Sequence, residues 1–427
     1  PAADSLEQMI GWPSDLIDNI NPIKYFAKGG YEVDGREISK LDKDEIKKIT
    51  EEIANKNYKN IAINSVYSPL NSDMELEANE IIKNIIPDAN ISLSHSIGKV
   101  GLIERENATI INAALANLAV EIVESFKNAL KKLNIDAPLY ISQNDGTLMR
   151  PDKVKQYPVL TFACGPTNSM RGAAYLSGIQ DSIIVDIGGT TSDVGYIKAG
   201  FPRQSAIATD VGGVRTNFRM PDIISIGLGG GSLIRDNGNK VGPDSVGYRL
   251  TEKALVFGGD TLTATDIAVK HYDLDIGDKS LLNKLDDSTV KNAKQEITRL
   301  LEEAVDKMKT SAENVPAVFV GGGTILNKEN LNGISELVIP DNFAVANAVG
   351  AALGQVSGEV DRVFHYEKLG REKTIEQASN EAKQLAKEAG AKESSIEINE
   401  INENPLAYLP GKSVRLQIKA IGDLENY

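Results

Sequence analysis

An α/β fold built on an internal duplication is predicted by three features of this 427-residue sequence. Short apolar strands alternate with helical periods through the first third of the chain. The same order returns between Ile183 and Leu353. There it opens on the apolar run Ile183-Ile184-Val185-Asp186-Ile187, which a glycine turn breaks before a second strand leaves in the opposite direction. After Gly358 the composition shifts, which predicts a small C-terminal α+β domain. The expected division is a first lobe over 1–140, a second lobe over 141–358 with a glycine-rich insertion near 211–310, and the C-terminal domain over 359–427.

Residues 1–30 carry no period, because Trp12-Pro13-Ser14 and Asn21-Pro22 break it. Residues 31–38 contain Asp34-Gly35, a hairpin signal. Asp42 caps a helix over 43–56 whose Ile46, Ile49 and Ile53 share one face. A strand over 60–66, an acidic-first helix over 72–86 and a strand over 91–94 follow. In a long helix over 107–133, Ile110, Ile111, Ala114, Leu115, Leu118, Ile122 and Phe126 repeat at helical spacing. A strand over 138–142 leads to the loop Gln143-Asn144-Asp145-Gly146-Thr147 and a helix over 170–177. The hairpin over 183–199 is followed by an irregular glycine-rich region over 211–259 and helices over 265–272 and 288–311. A strand over 316–320, a strand over 336–339 and a small-residue helix over 343–353 complete the second unit. It matches the first, except that the earlier copy lacks its glycine hairpin. Beyond a linker near 360–373, a charged helix over 374–390 and strands over 395–400 and 413–420, around a Pro405/Pro410 turn, form the last domain.

Composition is that of a soluble globular protein, and the net charge of −14 disfavours nucleic acid or an anionic membrane as the main partner. One cysteine excludes an internal disulfide framework and fits a reducing compartment. No apolar run reaches the roughly 18 residues of a bilayer span, and no signal peptide opens the chain, so a cytoplasmic protein is expected. The chain opens on Pro1, which reads as a trimmed piece of something longer.

The glycine hairpin carries the chemistry. Gly188 and Gly189 let backbone N–H groups approach an anion closely, and Thr190 and Thr191 add hydroxyl donors. Asp186 stands where a carboxylate can hold a hydrated Mg²⁺ against phosphate oxygens. Asp193 reads either as orienting Mg²⁺-bound water or as a structural hydrogen-bond partner. Gly321-Gly322-Gly323 follows a strand and suits close approach to a base or ribose. No Gly-x-x-x-x-Gly-Lys-[Ser/Thr] run is present, so this is not a P-loop enzyme. Gly229-Gly230-Gly231-Ser232 reads either as a phosphate contact or as part of a flexible insertion. Asn144, Asp145 and Thr147 are candidates for the lining of a substrate cleft, although Asn-Asp-Gly is also ordinary turn chemistry. His95, His271 and His365 have no ligand spacing, and Cys164 reads as a packed thiol.

The Asp-x-Gly-Gly-Thr hairpin, the later Gly-Gly-Gly and the duplicated unit resemble the actin/sugar-kinase/chaperone ATPase superfamily, with ribonuclease H-like lobes. More narrowly, the runs 143–147, 165–174, 186–195 and 212–217 resemble the A-type subunits of the hydantoinase/oxoprolinase family. Residues 104–109 and 229–232 fit the same pattern. The resemblance implies ATP and Mg²⁺ as cofactors and the ATP-dependent opening of a cyclic amide such as a hydantoin, 5-oxoproline or a related lactam. In that family the A-type subunit phosphorylates the amide oxygen, and a B-type partner completes hydrolysis. An ATP-dependent ketone carboxylase subunit and a nucleotide-driven activator of a partner enzyme are the alternatives. Two departures stand out. No second Asp-x-Gly-Gly-Thr hairpin precedes Asp186, which puts turnover by this chain alone in doubt, and Ser96 replaces the family's usual Glu after Ser-His.

Overall fold

The computed structural model describes residues 5–205, 208–406 and 412–425. α1 (Lys43–Asn55) starts where expected because the Asp42 carboxylate accepts the Glu45 N–H at 3.1 Å. β1 (Asn60–Ile63), α2 (Asp73–Ile85), β2 (Asn90–Leu93) and α3 (Leu102–Lys132) follow in the expected order. β1 and β2 pair in parallel, with Asn60 opposite Asn90 and Ile63 opposite Leu93. The Asp34-Gly35 signal yields a single antiparallel bridge, Tyr31 to Glu37, and no strand.

The repeating apolar stripe of α3 reaches a core only in its first part, where Ile110, Ile111 and Leu115 are half-buried against Trp12, Val159 and Phe218 and their neighbours. α3 buries Ala108, Ala113, Ala116, Ala119 and Val123 together with Asn107, Thr109 and Asn112, while Leu118, Ile122 and Phe126 are exposed. The helix lies against β1 and β2, and small side chains let it approach the strands closely. By length and composition α3 is also apolar enough to cross a membrane, contrary to the expectation from apolar runs. Here its inner side packs on β1, β2 and the hairpin formed by Thr209–Val211 and Val214–Thr216.

The second unit is complete. β3 (Ile141–Ser142) and β4 (Leu148–Met149) enclose the turn at 143–147 and lead to α4 (Cys164–Ser177). α4 begins earlier than expected because Pro166 falls in its first turn, where backbone N–H groups have no helical partner. β5 (Ser182–Ile187), β6 (Ser192–Lys198) and β7 (Ile223–Ile226) are antiparallel neighbours. α5 (Ala264–Tyr272), α6 (Asp287–Met308), β8 (Val315–Val320), β9 (Ile334–Val338) and α7 (Ala346–Ala351) follow. The sheet runs β7-β6-β5-β8-β9, with β8 parallel to β5 and to β9. The region over 211–259 is therefore not irregular: it supplies β7 and a hairpin of Ser232–Arg235 with Lys240–Ser245.

β8 and β9 are the counterparts of β1 and β2, so the molecule has two actin-like lobes, and among the described residues only the second shows a hairpin beside that parallel pair. β5 reads as a continuous apolar run because both faces of its sheet are covered. α6 packs on one face through Ile297, Leu301 and Val305, and α4 with Ala346 of α7 packs on the other. α4 and α7 touch backbone to backbone: a Cβ added at Gly350 would stand 1.8 Å from the Asn168 carbonyl oxygen, and one at Gly172 1.8 Å from that of Ala346.

β10 (Gln355–His365), α8 (Arg371–Glu388), β11 (Glu397–Pro405) and β12 (Ser413–Asp423) form the C-terminal unit, whose sheet runs β11-β12-β10-β4-β3. The expected division at 358/359 thus falls inside β10, and β3 and β4, expected in the second lobe, lie on this sheet. Gly358 marks no break. A Cβ there would stand 2.2 Å from the Ala382 carbonyl oxygen of α8, so glycine permits close helix–sheet contact. The expected linker is strand and helix, and Pro410 lies outside the described residues.

Gly350→Ala is expected to destabilise the chain by about 3 kcal/mol, because neither backbone can yield to a methyl group. Urea denaturation measures it, and an unchanged midpoint would show that α4 and α7 slide apart freely.

Candidate functional site

The register of β5 and β6 sets Asp186 directly opposite Asp193, so both carboxylates rise from the same face of the sheet. The turn between them closes through the Gly188 N–H, which donates to the Thr191 carbonyl at 2.9 Å. Gly189, Thr190 and Thr191 are exposed. Two other glycine segments meet this turn. The Gly230 and Gly231 N–H groups donate to the carbonyls of Gly188 and Gly189 at 3.0 and 2.7 Å. A Cβ on Gly229 would stand 2.5 Å from the Thr190 nitrogen, and one on Gly321 2.3 Å from Asp186 Oδ1. At Gly189 and Gly322, by contrast, an added Cβ meets nothing within 4 Å, so both face open space.

Of the two readings of 229–232, the flexible insertion fails. The Ser232 hydroxyl accepts the Gly229 N–H at 2.8 Å, and the Thr265 hydroxyl, in the first turn of α5, donates to the Gly230 carbonyl at 2.8 Å. The Ser192 hydroxyl holds the Leu228 carbonyl at 2.7 Å. The segment is a fixed wall of the turn.

Burial pushes the Asp186 carboxyl above its usual range; a hydrogen bond with Ser169 of α4 opposes this, and the Asp193 charge reinforces it. A carboxylate in that state gains from a cation. Asn347 of α7 steadies Ser169, donating to its hydroxyl at 3.2 Å and to the Gly165 carbonyl at 2.8 Å. Asp193 accepts the Ser225 hydroxyl of β7. The donor set therefore fits a polyphosphate with a hydrated divalent cation: free hydroxyls at Thr190 and Thr191 on an exposed turn at 189–191, a half-buried carboxylate behind them and a side-chain-free wall at 321–323. Ser169 was missed in the sequence. It lies inside the quoted run 165–174, but nothing local marks it as facing Asp186.

Asn144, Asp145 and Thr147 do not line an open cleft. All three are buried, with Asp145 2% exposed. The Asp145 carboxylate accepts the Thr147 hydroxyl at 2.7 Å and the Ser357 hydroxyl at 3.1 Å, and pairs with Lys419 at 2.9 Å and Arg219 at 3.2 Å. Burial alone would raise its pKa, but Arg219 and Lys419 overcome that and hold it far below the carboxylate range. Arg219 also donates to the side-chain oxygens of Asn144 at 3.2 Å and Gln143 at 2.9 Å. The turn is thus a joint between the C-terminal sheet, which holds β3, β4 and Lys419, and the segment before β7, which supplies Arg219. Its partners lie far along the chain, and no local spacing signals them.

Among the described residues no group of histidine, cysteine and carboxylate side chains is placed to hold a metal directly. His95 is satisfied by Glu75 at 2.7 Å, and burial raises the Cys164 thiol.

Residues 105–321 match the family model for hydantoinase/oxoprolinase, and residues 18–86 match that for the hydantoinase/oxoprolinase N-terminal region. The chain belongs to the hydantoinase/oxoprolinase family. It is 26% identical over 333 residues to the caprolactamase subunit alpha of Pseudomonas jessenii, covering 75% of this chain and 46% of that protein. The crystal structure of ATP-dependent caprolactamase from Pseudomonas jessenii superposes with a TM-score of 0.74 at 19% identity, covering 93% of this chain and 70% of that one. The nucleotide-free structure of acetone carboxylase gives 0.57 at 16% identity, covering 97% and 73%. These likenesses carry the fold. The chain spans less than half the length of the curated relatives it matches.

Two outcomes are expected of this hydantoinase/oxoprolinase chain. Gly229→Ala should keep its circular dichroism and lose at least tenfold in Mg-nucleotide affinity by calorimetry; unchanged affinity would separate 229–231 from the site. A carboxylate with a depressed pKa stabilises the fold above its unfolded pKa, and that stability is lost as pH falls through the folded value. Lys419→Met should therefore move the midpoint of acid unfolding to higher pH.

Proposed function

We propose that this chain is the ATP-using part of an enzyme that opens a cyclic amide, such as a hydantoin, 5-oxoproline or a related lactam. The amide oxygen is phosphorylated, and a B-type partner subunit completes hydrolysis. The observation that carries this reading is the meeting of three glycine segments on the Asp186–Thr191 turn, in a chain of this family. An unactivated lactam is a poor electrophile, and ATP supplies the phosphoryl group that makes its oxygen a leaving group. Such transfer needs positioning and charge neutralisation more than a covalent nucleophile.

The chain's own residues suit those tasks. The Thr190 and Thr191 hydroxyls and the Gly189 N–H bind and orient phosphate oxygens, while the Gly188 N–H is spent on the Thr191 carbonyl that closes the turn. Asp186 holds Mg²⁺ through water, with Ser169 fixing the carboxylate. Asp193, anchored by Ser225, orients water on the cation. Gly321–Gly323 leaves room for the nucleoside. The Pseudomonas jessenii relative, named an ATP-dependent caprolactamase, supports a lactam. The fold shared with acetone carboxylase supports a second reading, an ATP-dependent ketone carboxylase subunit.

Titration of Mg-ATP and Mg-ADP into the chain should give micromolar binding that Asp186→Ala abolishes. With the partner subunit present, a lactam should stimulate ATP hydrolysis, and Asp186→Asn should cut the rate at least a hundredfold. Stimulation only by a ketone with bicarbonate would replace the lactam reading with carboxylation. Binding that survives Asp186→Ala would remove the turn from the site.

A further inference from the structure

Along α3 the apolar side chains Ile111, Leu115, Leu118, Ile122, Phe126 and Leu133 recur at steps of three, four or seven residues, so they form one stripe along the helix. The stripe changes surroundings part-way. Over its first turns the chain's own elements cover it: Ile111 packs against the cluster of Met9, Trp12 and Val214, and Leu115 against that of Val159 and Phe218. From Leu118 onward the cover stops. Leu118, Ile122, Phe126, Leu133 and, just past the helix, Ile135 are each between 42% and 68% exposed. The buried side of the same turns is satisfied separately, because Val123 packs with Met149 and Val154. Large apolar side chains in register over about four helical turns make a continuous patch, not the scattered exposure of an ordinary surface.

The flank of the stripe carries the second observation. Glu121 and Lys132 are both exposed and stand eleven residues apart, about three full turns, so they lie along the same edge of the stripe. Among the described residues neither is in an ion pair, whereas Glu124 takes both Lys127 and Lys155. The point midway between Glu121 and Lys132 falls beside Phe126, the middle of the exposed part. The face is therefore its own complement. Laid antiparallel on a second α3 about a two-fold axis at that point, Glu121 meets Lys132 of the second copy, and Lys132 meets its Glu121. The same operation sets Phe126 against Phe126 and brings Leu118 to the end of the other stripe at Leu133 and Ile135. A parallel pair would place like charges at the same level instead.

We propose that this face is where two copies of the chain meet, the exposed part of α3 packing antiparallel on its two-fold equivalent. The proposal stands apart from the cyclic-amide reading and needs nothing from the Asp186 turn. Pairing removes both stripes from water, and the two Glu121–Lys132 contacts fix direction and register, as flanking charges do in coiled coils. Charge complementarity selects a second copy over an unlike partner, since one helix supplies both halves of the match.

Sedimentation equilibrium of the chain at low ionic strength, over roughly 1–100 μM, should show a dimer. Phe126→Glu should weaken it by more than about tenfold, because it sets two charges together at the centre of the interface. Glu121→Lys and Lys132→Glu should each weaken self-association about tenfold, since two attractions become two repulsions. Mixed in equal amounts, these two variants should associate with each other as the parent does with itself, because every contact between positions 121 and 132 is again acid with base. Circular dichroism and thermal midpoints should match the parent, all three positions being exposed. A monomer across the whole range, or a dimer indifferent to Phe126→Glu, overturns the proposal. In the first case flotation with phosphatidylcholine vesicles would assign the face to a lipid surface. A dimer that Phe126→Glu weakens but that mixing does not restore overturns the antiparallel register.

Discussion

The glycine segments of the second lobe follow from how closely two other stretches of backbone approach one turn. The turn leaves Gly189, Thr190 and Thr191 exposed, and other backbone segments support it from behind. The segments 229–231 and 321–323 supply that support at distances no side chain survives: an added Cβ would stand 2.5 Å from the Thr190 nitrogen or 2.3 Å from Asp186 Oδ1. The strand order enforces the meeting. β8 pairs parallel to β5 with Val320 opposite Asp186, so the next residue, Gly321, falls against the carboxylate. β7 pairs antiparallel to β6 with Ile226 opposite Ser192, so the chain leaving β7 passes behind the turn. Sequence-distant glycines thus share one physical cause.

The C-terminal sheet reaches the site through a second constraint, the need to neutralise Asp145. A carboxylate that is 2% exposed is tolerated only with charged partners, and these come from Arg219, which precedes β7, and Lys419 of β12. The same turn accepts the Thr167 hydroxyl of α4 on the Gln143 carbonyl at 3.2 Å. α4 in turn carries Ser169 to Asp186. The C-terminal unit is therefore wired to the carboxylate behind the phosphate turn through buried polar contacts. Loss of any member leaves a buried charge or donor unmatched, which makes the joint rigid.

The sequence revealed what depends on local period and turn chemistry. The β5 run, the glycine turn and the helix capped by Asp42 were visible because both faces of β5 are covered, Gly188-Gly189 must turn, and Asp42 meets the Glu45 N–H. What escaped depends on tertiary approach. In α3 the apolar stripe packs through Ile110, Ile111 and Leu115 but runs on into the exposed Leu118, Ile122 and Phe126, while alanines form the fully buried side because the helix lies close on two strands. Gly358 looked like a domain break and is a contact with α8. Asn144-Asp145-Gly146-Thr147 looked like an exposed functional loop, because its cationic partners stand more than seventy positions away at Arg219 and Lys419.

The two lobes share an order of elements and differ in what their sheets can do. In the second, β8 has β5 on one side and β9 on the other, and the site grows from that β5 side. In the first, β1 pairs with β2 alone among the described strands. Its other edge borders a cavity of 1440 Å³ lined by Ile46, Ile53, Ile61 and Ile63. Just past that edge, Asn64 Oδ1 is buried with no hydrogen-bond partner. A two-stranded parallel pair is marginal by itself, so this lobe stands on α3 and on the polar set of Glu75, Ser94 and Arg105 at its strand ends. Among its described residues such a lobe offers loops and side chains but no counterpart of the 188–191 turn. Among the described residues the glycine turn and the backbone segments that wall it therefore stand on the second lobe alone.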